Sequence, residues 1–502
     1  MLFNSYEFIF VFLPVALFVF FQIGSRGYQQ AAIAWLVATS LFFYGWWQVS
    51  FLGLLLVSIL FNYLLGIAIN RHYKIKFSQK YLLAFGVLFN LGLLGYFKYA
   101  NFLAISTNNL FGTSFNLQTI TLPLAISFFT FNQIAFLVDT YRGEAKEYDF
   151  IKYCLFITFF PHLIAGPIVH HKEMIPQFYS KLIYHFNPEI LAVGITVFSL
   201  GLFKKVMFAD SVAVYATPVF DAAAQGLPLT FFDAWSGALA YSLQLYFDFS
   251  GYSDMAIGVA WMFGIKFPLN FDSPYKAVNI IDFWRRWHIT LSRFLRDYLY
   301  IPLGGNRKGK FRRYINLMIT MLLGGLWHGA GWTYIVWGGL HGIYLVINHQ
   351  WHSLRRTLGH DLSKSYWWSQ CLGCFVTFLA VVVAWVFFRA ENMNSAIAML
   401  KVMVGATSIS LSSPSLIVSK KLLLLLILFF IVWFTPNTQQ LMGQYNPVIE
   451  QSTAKTSLGW SDYLWQKLQW QPNRLWSLIS AILTALCLLK LSEVSEFLYF
   501  EF

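Results

Sequence analysis

The sequence predicts an all-α, polytopic membrane protein of about 10–12 spans, with re-entrant and in-plane helices among them. Three observations carry that prediction. Of 502 residues, 58% are hydrophobic and only 11% are charged, against about a quarter charged in ordinary soluble domains. Apolar runs close to the roughly 20 residues a bilayer requires recur along the whole chain. Lys and Arg collect in the short connections between those runs, the arrangement that sets orientation in a membrane. The formal charge of +13 therefore points to anionic lipid and cytoplasmic loops, not to nucleic acid.

Taken in order, residues 8–23 form the first span, which has no basic leader and no cleavage site and is expected to stay. Residues 30–47, 51–69 and 81–99 follow. The third empties into Arg71, Lys74, Lys76 and Lys80, which should be cytoplasmic and so place the N-terminus outside. The uncharged stretch 101–117 reads as an external loop. Residues 119–138 return inward to Arg142, Lys146 and Lys152. Phe150–Val169 contains Phe160-Pro161-His162 and Gly166-Pro167 between basic flanks, the pattern of a broken or re-entrant helix. His162 within it either lines a cavity or packs structurally.

Residues 188–208 lead outward, 210–229 carry Asp210 and Asp221 but no Lys or Arg, and 231–263 return. The last of these holds Tyr246, Asp248, Ser250, Ser253 and Asp254. Asp248 and Asp254 are about 600° of helix turn apart, so they do not form a dyad. One of them is expected to meet an arginine of 285–296. Residues 282–300 mix charged and apolar residues at helical spacing and read as one in-plane amphipathic helix at the cytoplasmic face. Residues 314–350 are too long for one span, and Gly329-Ala330-Gly331 suggests a hairpin with His328 at its elbow. Residues 368–388, 420–435 and 474–492 complete the spans, with 436–472 the longest polar connection. No internal repeat emerges, so residues 1–502 read as a single membrane domain whose signature region is 240–345. Cys154, Cys371, Cys374 and Cys487 lie in apolar segments and read as packing residues.

The chemistry concentrates between 282 and 331. Nine Lys and Arg lie between 282 and 313, against only Asp282 and Asp297. An apolar run follows with a single titratable group, His328, and an ionisable group at membrane depth is a functional-site hypothesis by default. Acyl transfer from a thioester to a hydroxyl needs a base, stabilisation of the carbonyl oxygen and exclusion of water. An imidazole suits the first task because its pKa near 6.5 lies close to working pH. Glycines 324, 325, 329 and 331 keep side chains away from His328 and allow close approach. His341, about 1300° of helix rotation beyond His328, is expected to face away and stays outside the site. No G-x-S-x-G, Walker A or dinucleotide fingerprint occurs. His288, His328 and His341 lack partners at metal-ligand spacing, so no metal is expected.

Asp282–Arg307 (DFWRRWHITLSRFLRDYLYIPLGGNR) and Leu326–Gly331 (LWHGAG) resemble the signatures of membrane-bound O-acyltransferases. Tyr246–Asp254 (YFDFSGYSD) and Trp433–Thr438 (WFTPNT) resemble further blocks of the bacterial branch that O-acetylates alginate, peptidoglycan or related polysaccharides. The resemblance implies a multi-pass protein of the bacterial cytoplasmic membrane, with acetyl-CoA as donor substrate and no bound cofactor. It implies that His328 is catalytic and that His288 orients the acceptor or the thioester. Arg285, Arg286, Trp327 and Asp248 are the candidate substrate contacts, the arginines through donor phosphates. The alternative is a polytopic transporter or flippase of an envelope precursor, in which intramembrane histidine and broken helices mark a path. The outward loops are too short to grip a polysaccharide. A separate extracytoplasmic, acetylesterase-like partner is therefore expected to accept the acetyl group first. Which polysaccharide is modified stays open.

Overall fold

The computed structural model describes residues 1–70, 78–145, 149–361, 366–406, 416–449, 469–491 and 498. Arg71, Lys74, Lys76, Lys146 and much of the 436–472 connection lie outside the described residues. Among those described, the chain is helical and the only β pairing is one isolated bridge, Phe267–Val448. A π-turn at Phe8–Phe12 leads into α1 (Leu13–Ser25), followed by α2 (Gln29–Gly45) and α3 (Ser50–Asn70). Next, α4 (Gln79–Leu94) passes through a π segment, Gly95–Tyr99, into α5 (Ala100–Phe111). The stretch expected to be an external loop from residue 101 is therefore helical as far as Phe111. It contains no Gly or Pro, and the helix stops only at Gly112, whose φ of 65° makes the left-handed cap.

Helix α6 (Ile126–Tyr141) is buried along almost its whole length. The expected break follows: α7 (Phe150–Thr158) and α8 (Phe160–Leu163) meet at a non-helical Phe159, and a loop leads to the short α9 (His171–Met174). Asp149 caps α7 by accepting from the Ile151 and Lys152 N–H groups.

The two segments predicted at 188–208 and 210–229 are one rod. Helix α10 (Pro188–Phe203) runs through a π segment, Lys204–Ala209, into α11 (Asp210–Ala224). Lys204 and Lys205 do not end the span because each is neutralised inside the protein, as described below. Against this rod packs α12 (Phe231–Met262), opened by a Thr230/Asp233 capping box and buried without interruption from Ala240 to Ala260. The two approach closely where Gly201 and Gly251 face each other; a Cβ on either would strike the other's backbone.

Residues 282–300 are not a single in-plane helix. They form α13 (from Ile280 to Arg286), α14 (Ile289–Leu295) and a π segment, Arg296–Tyr300, with a break at Trp287–His288. Their apolar side chains pack into the protein, and Arg286 and Arg293 find carboxylates there, so an amphipathic pattern was satisfied by tertiary contact. The expected hairpin is present: α15 (Gly309–His328) and α16 (Trp332–Thr357) fold back on each other around 329–331. Gly325 lies against the Tyr334 backbone and Gly338 against that of Met321, contacts no larger residue would permit. Then come α17 (Trp367–Arg389), α18 (Met393–Met403), α19 (Leu416–Phe434), α20 (Thr438–Leu441) and α21 (Arg474–Lys490).

Among the described residues, five stretches are long and apolar enough to cross a membrane: Phe8–Ser25, Ser50–Asn70, Gln79–Phe111, Pro188–Ala224 and Trp367–Arg389. Large apolar side chains such as Phe10, Phe18, Leu88 and Leu422 are exposed on helix surfaces, as a lipid-facing exterior requires.

Candidate active site

His288 sits at the joint between α13 and α14 with φ 42° and ψ 54°, a left-handed conformation that costs about 1–2 kcal/mol for a residue with a side chain. Asn270 holds it there. Its backbone carbonyl accepts from Ile289 N–H at 3.0 Å, and its Oδ1 lies 3.0 Å from His288 Nδ1. The same Oδ1 accepts the Thr290 hydroxyl at 2.9 Å and the Thr290 N–H at 3.4 Å. Asn270 Nδ2 donates to Ser253 Oγ at 3.1 Å. An oxygen that accepts from Thr290 must also accept from His288, so the neutral imidazole carries its proton on Nδ1 and presents Nε2 as the acceptor nitrogen.

His328 is the last residue of α15, and its ring centroid lies 6.4 Å from that of His288. Aromatic rings box it: Trp327 at 4.9 Å, Trp337 at 5.0 Å and Phe388 at 5.1 Å between centroids. His328 is 5% exposed, and its Nδ1 has no hydrogen-bond partner among the described residues. The indole N–H groups of Trp327 and Trp337 are likewise buried without acceptors there. Orphaned donors and acceptors are costly in a dry interior, and these belong to adjoining rings, which marks the cluster as a candidate site. Trp327 stacks on Phe131 at 5.1 Å and lies 6.2 Å from His288 between centroids.

His341 belongs to the same cluster, contrary to the expectation that it faces away. Its ring lies 4.8 Å from Trp337, which itself touches His328, and it packs on Phe283 and Trp284 of α13. It is fully buried, with neither ring nitrogen hydrogen-bonded among the described residues. The rotation count failed because it assumed an unbroken helix. The turn at 329–331 folds α16 back along α15, and residues 337 and 341 share one face of α16.

Asp248 is not brought to the histidines. It pairs with Lys205 at 2.6 Å, and Lys205 also binds Asp210 at 2.8 Å. Asp254 pairs with Lys204 at 2.6 Å and accepts the Thr438 hydroxyl at 2.6 Å. The expected arginine partner from 285–296 is therefore replaced, in both cases, by lysines of the 204–209 π segment. Phe249, one residue on from Asp248, faces His288 at 4.7 Å between centroids, so Asp248 looks out of the other side of α12. Arg286 is held by Asp282 at 2.9 Å and reaches the Asp272 carbonyl at 3.4 Å, which makes it a fastener of the 272–286 loop. Arg285 is exposed, as are Arg307, Lys308, Lys310 and Arg312. His162 is buried against Phe159 and Phe267, away from this cluster of contacts.

Sequence reasoning missed Asn270 and Lys98. Lys98 is buried in the π segment after α4, and its Nζ donates to the Trp327 carbonyl at 2.5 Å. A readable signal existed: it is a lysine inside an apolar run. Asn270 had none, being one polar residue in a loop.

Residues 41–388 match the membrane-bound O-acyltransferase family. The chain is 46% identical over 439 residues to the peptidoglycan O-acetyltransferase of Helicobacter pylori, spanning 82% of this chain and 81% of that one. It is 45% identical over 410 residues to a probable alginate O-acetylase AlgI of Pseudomonas putida, spanning 80% and 79%. A more distant similarity, 31% over 280 residues, joins it to a teichoic acid D-alanyltransferase of Streptococcus thermophilus, spanning 53% of this chain and 68% of that one.

Proposed function

This chain belongs to the membrane-bound O-acyltransferase family and is an O-acyltransferase, and from that premise we propose that it transfers acetyl groups for O-acetylation of an envelope polysaccharide. The donor is a cytosolic thioester, acetyl-CoA, and the membrane is the bacterial cytoplasmic membrane. Alginate and peptidoglycan, the polymers named for its relatives, define the class of polymer. The facing pair His288 and His328 inside a box of tryptophans carries this reading.

In the reaction, a ring nitrogen of His328 takes the proton of the acceptor hydroxyl. The acceptor oxygen bonds to the acetyl carbonyl carbon, the C–S bond breaks, and the thiolate leaves and is reprotonated. General base catalysis supplies about 10²–10⁴-fold; positioning in a closed chamber supplies much of the rest. His288, fixed by Asn270 beside His328, orients the acceptor or the thioester group. The indole N–H groups of Trp327 and Trp337 are the donors available to a developing oxyanion. Exposed Arg285, Arg307, Lys308, Lys310 and Arg312 form the basic surface that attracts the donor's phosphates.

The acetyl group must cross the membrane while no described outer segment offers a platform for a polymer. The first acceptor is therefore a hydroxyl of a separate extracytoplasmic, acetylesterase-like protein. The test is reconstitution in vesicles with acetyl-CoA on the cytoplasmic side and polymer on the other. Acetyl esters should form on the polymer only when the outer protein is added, and should fall to background with His328→Ala. Efficient esterification by this chain alone would remove the partner; full activity of folded His328→Ala would remove the base.

A further inference from the structure

The last four carbonyls of an α-helix have no partner within it. In α15 three of these belong to Leu326, Trp327 and His328. Gly329 follows in extended backbone, φ −160°, so the left-handed turn that closes many helix ends locally is absent here. The carbonyls are instead met from the π segment after α4. Tyr99 Oη donates to Leu326 O at 2.8 Å. Lys98 Nζ donates to Trp327 O at 2.5 Å and to His328 O at 3.4 Å, with Ser127 Oγ as its third partner at 3.3 Å. Lys98 also lies over the Trp327 ring, 5.9 Å from its centroid.

No carboxylate is among the partners of Lys98 in the described residues. Its Nζ meets the negative end of a helix dipole and carbonyl oxygens instead. A neutral amide could satisfy the same carbonyls at lower cost in a membrane, so a lysine here calls for a reason beyond packing. The π segment supplies the geometry: its wider turn presents consecutive residues 98 and 99 toward one helix end, and such insertions recur at functional sites.

We propose that Lys98 and Tyr99 act as a clamp on the C-terminal turn of α15, positioning the His328 imidazole against His288. They are positioning residues, which reach the reaction through the backbone of 326–328. The inference rests on the acetyl-transfer reading for its kinetic test but has a structural test that does not.

The experiment uses the full-length protein in lipid nanodiscs, with acetyl-CoA as donor and the acetylesterase-like acceptor protein added. Lys98→Met should lower kcat roughly 30- to 100-fold, as expected of a misplaced catalytic group, with KM for acetyl-CoA within about twofold. Lys98→Arg, which can still donate to both carbonyls, should recover most of that loss. Tyr99→Phe, which removes one hydroxyl, should lower kcat about three- to tenfold. In parallel, diethyl pyrocarbonate modification of His328 is followed by mass spectrometry, with exposed His360 as internal standard. Its rate should change at least about threefold in Lys98→Met and Tyr99→Phe if the ring is re-aimed. A Lys98→Met enzyme within threefold of wild type, or an Arg variant no better than Met, overturns the clamp. So does an unchanged His328 rate. If wild type transfers nothing from acetyl-CoA, the functional reading fails and the modification rates alone decide the clamp. If Lys98→Met does not fold, Tyr99→Phe decides.

Discussion

The imidazoles of His288 and His328 meet with their ring centroids 6.4 Å apart and their planes inclined at 61°. Each comes from a helix boundary: His288 opens α14 and His328 closes α15. Boundaries suit this purpose because the chain can turn there without disturbing a run of helical hydrogen bonds. The price is a strained backbone at His288 and three carbonyls at His328 that must be served from elsewhere.

Replacing Asn270 should uncouple His288 from its frame. Asn270→Ala removes the acceptor for His288 Nδ1–H and for the Thr290 hydroxyl. Acetyl transfer should drop at least about tenfold because tautomer and ring orientation are no longer set. Asn270→Asp, which keeps the acceptor, should retain more activity than the alanine variant. Equal activity of Asn270→Ala and wild type would mean His288 needs no such partner.

His341→Phe separates packing from chemistry. Among the described residues the ring is packed by aromatic neighbours and neither nitrogen is hydrogen-bonded, so Phe should preserve the fold and leave Tm unchanged or higher. A contact with substrate would show as a loss of transfer of about tenfold or more. Undiminished activity would return His341 to the structural core.

Asp248→Asn tests the reassignment of that carboxylate. Lys205 would lose one of its buried carboxylates, and breaking a buried pair costs about 3–5 kcal/mol. Thermal unfolding in detergent should shift down clearly, and the double variant Asp248→Asn/Lys205→Met should recover part of the loss. A direct substrate role predicts the reverse: normal Tm with a raised KM.

Topology can be read with single cysteines placed at Lys80 and Asn109, both exposed at opposite ends of the Gln79–Phe111 rod, in a chain freed of its own four cysteines. An impermeant thiol reagent should label Asn109→Cys from outside and Lys80→Cys only after the membrane is opened. Labelling of both from one side would overturn the map on which the direction of transfer depends.

Much of this was readable in residue order. The hairpin elbow at His328 followed from Gly329-Ala330-Gly331, and the break near Phe159 from Pro161 and Gly166. Both are statements about which backbone the chain can adopt locally. The errors share one cause. The 101–117 loop was inferred from absent charge, yet helicity ran to Phe111 because nothing stopped it. The 188–229 region was divided between 208 and 210, yet one rod runs through it, with Lys204 and Lys205 neutralised by Asp254 and Asp248. The 282–300 pattern was assigned to a membrane surface, although its arginines had carboxylates waiting at Asp282 and Glu173.

By itself the sequence determined the membrane class, the breaks in the helices and the two histidine blocks, because composition, Gly and Pro act through local physics. Only the tertiary structure decided partners. It joined His341 to His328 through Trp337, set Asn270 behind His288, and put Lys98 on the end of α15, 229 residues away in the chain. A buried polar group must find its complement wherever packing supplies one, and distance along the chain does not constrain where that is.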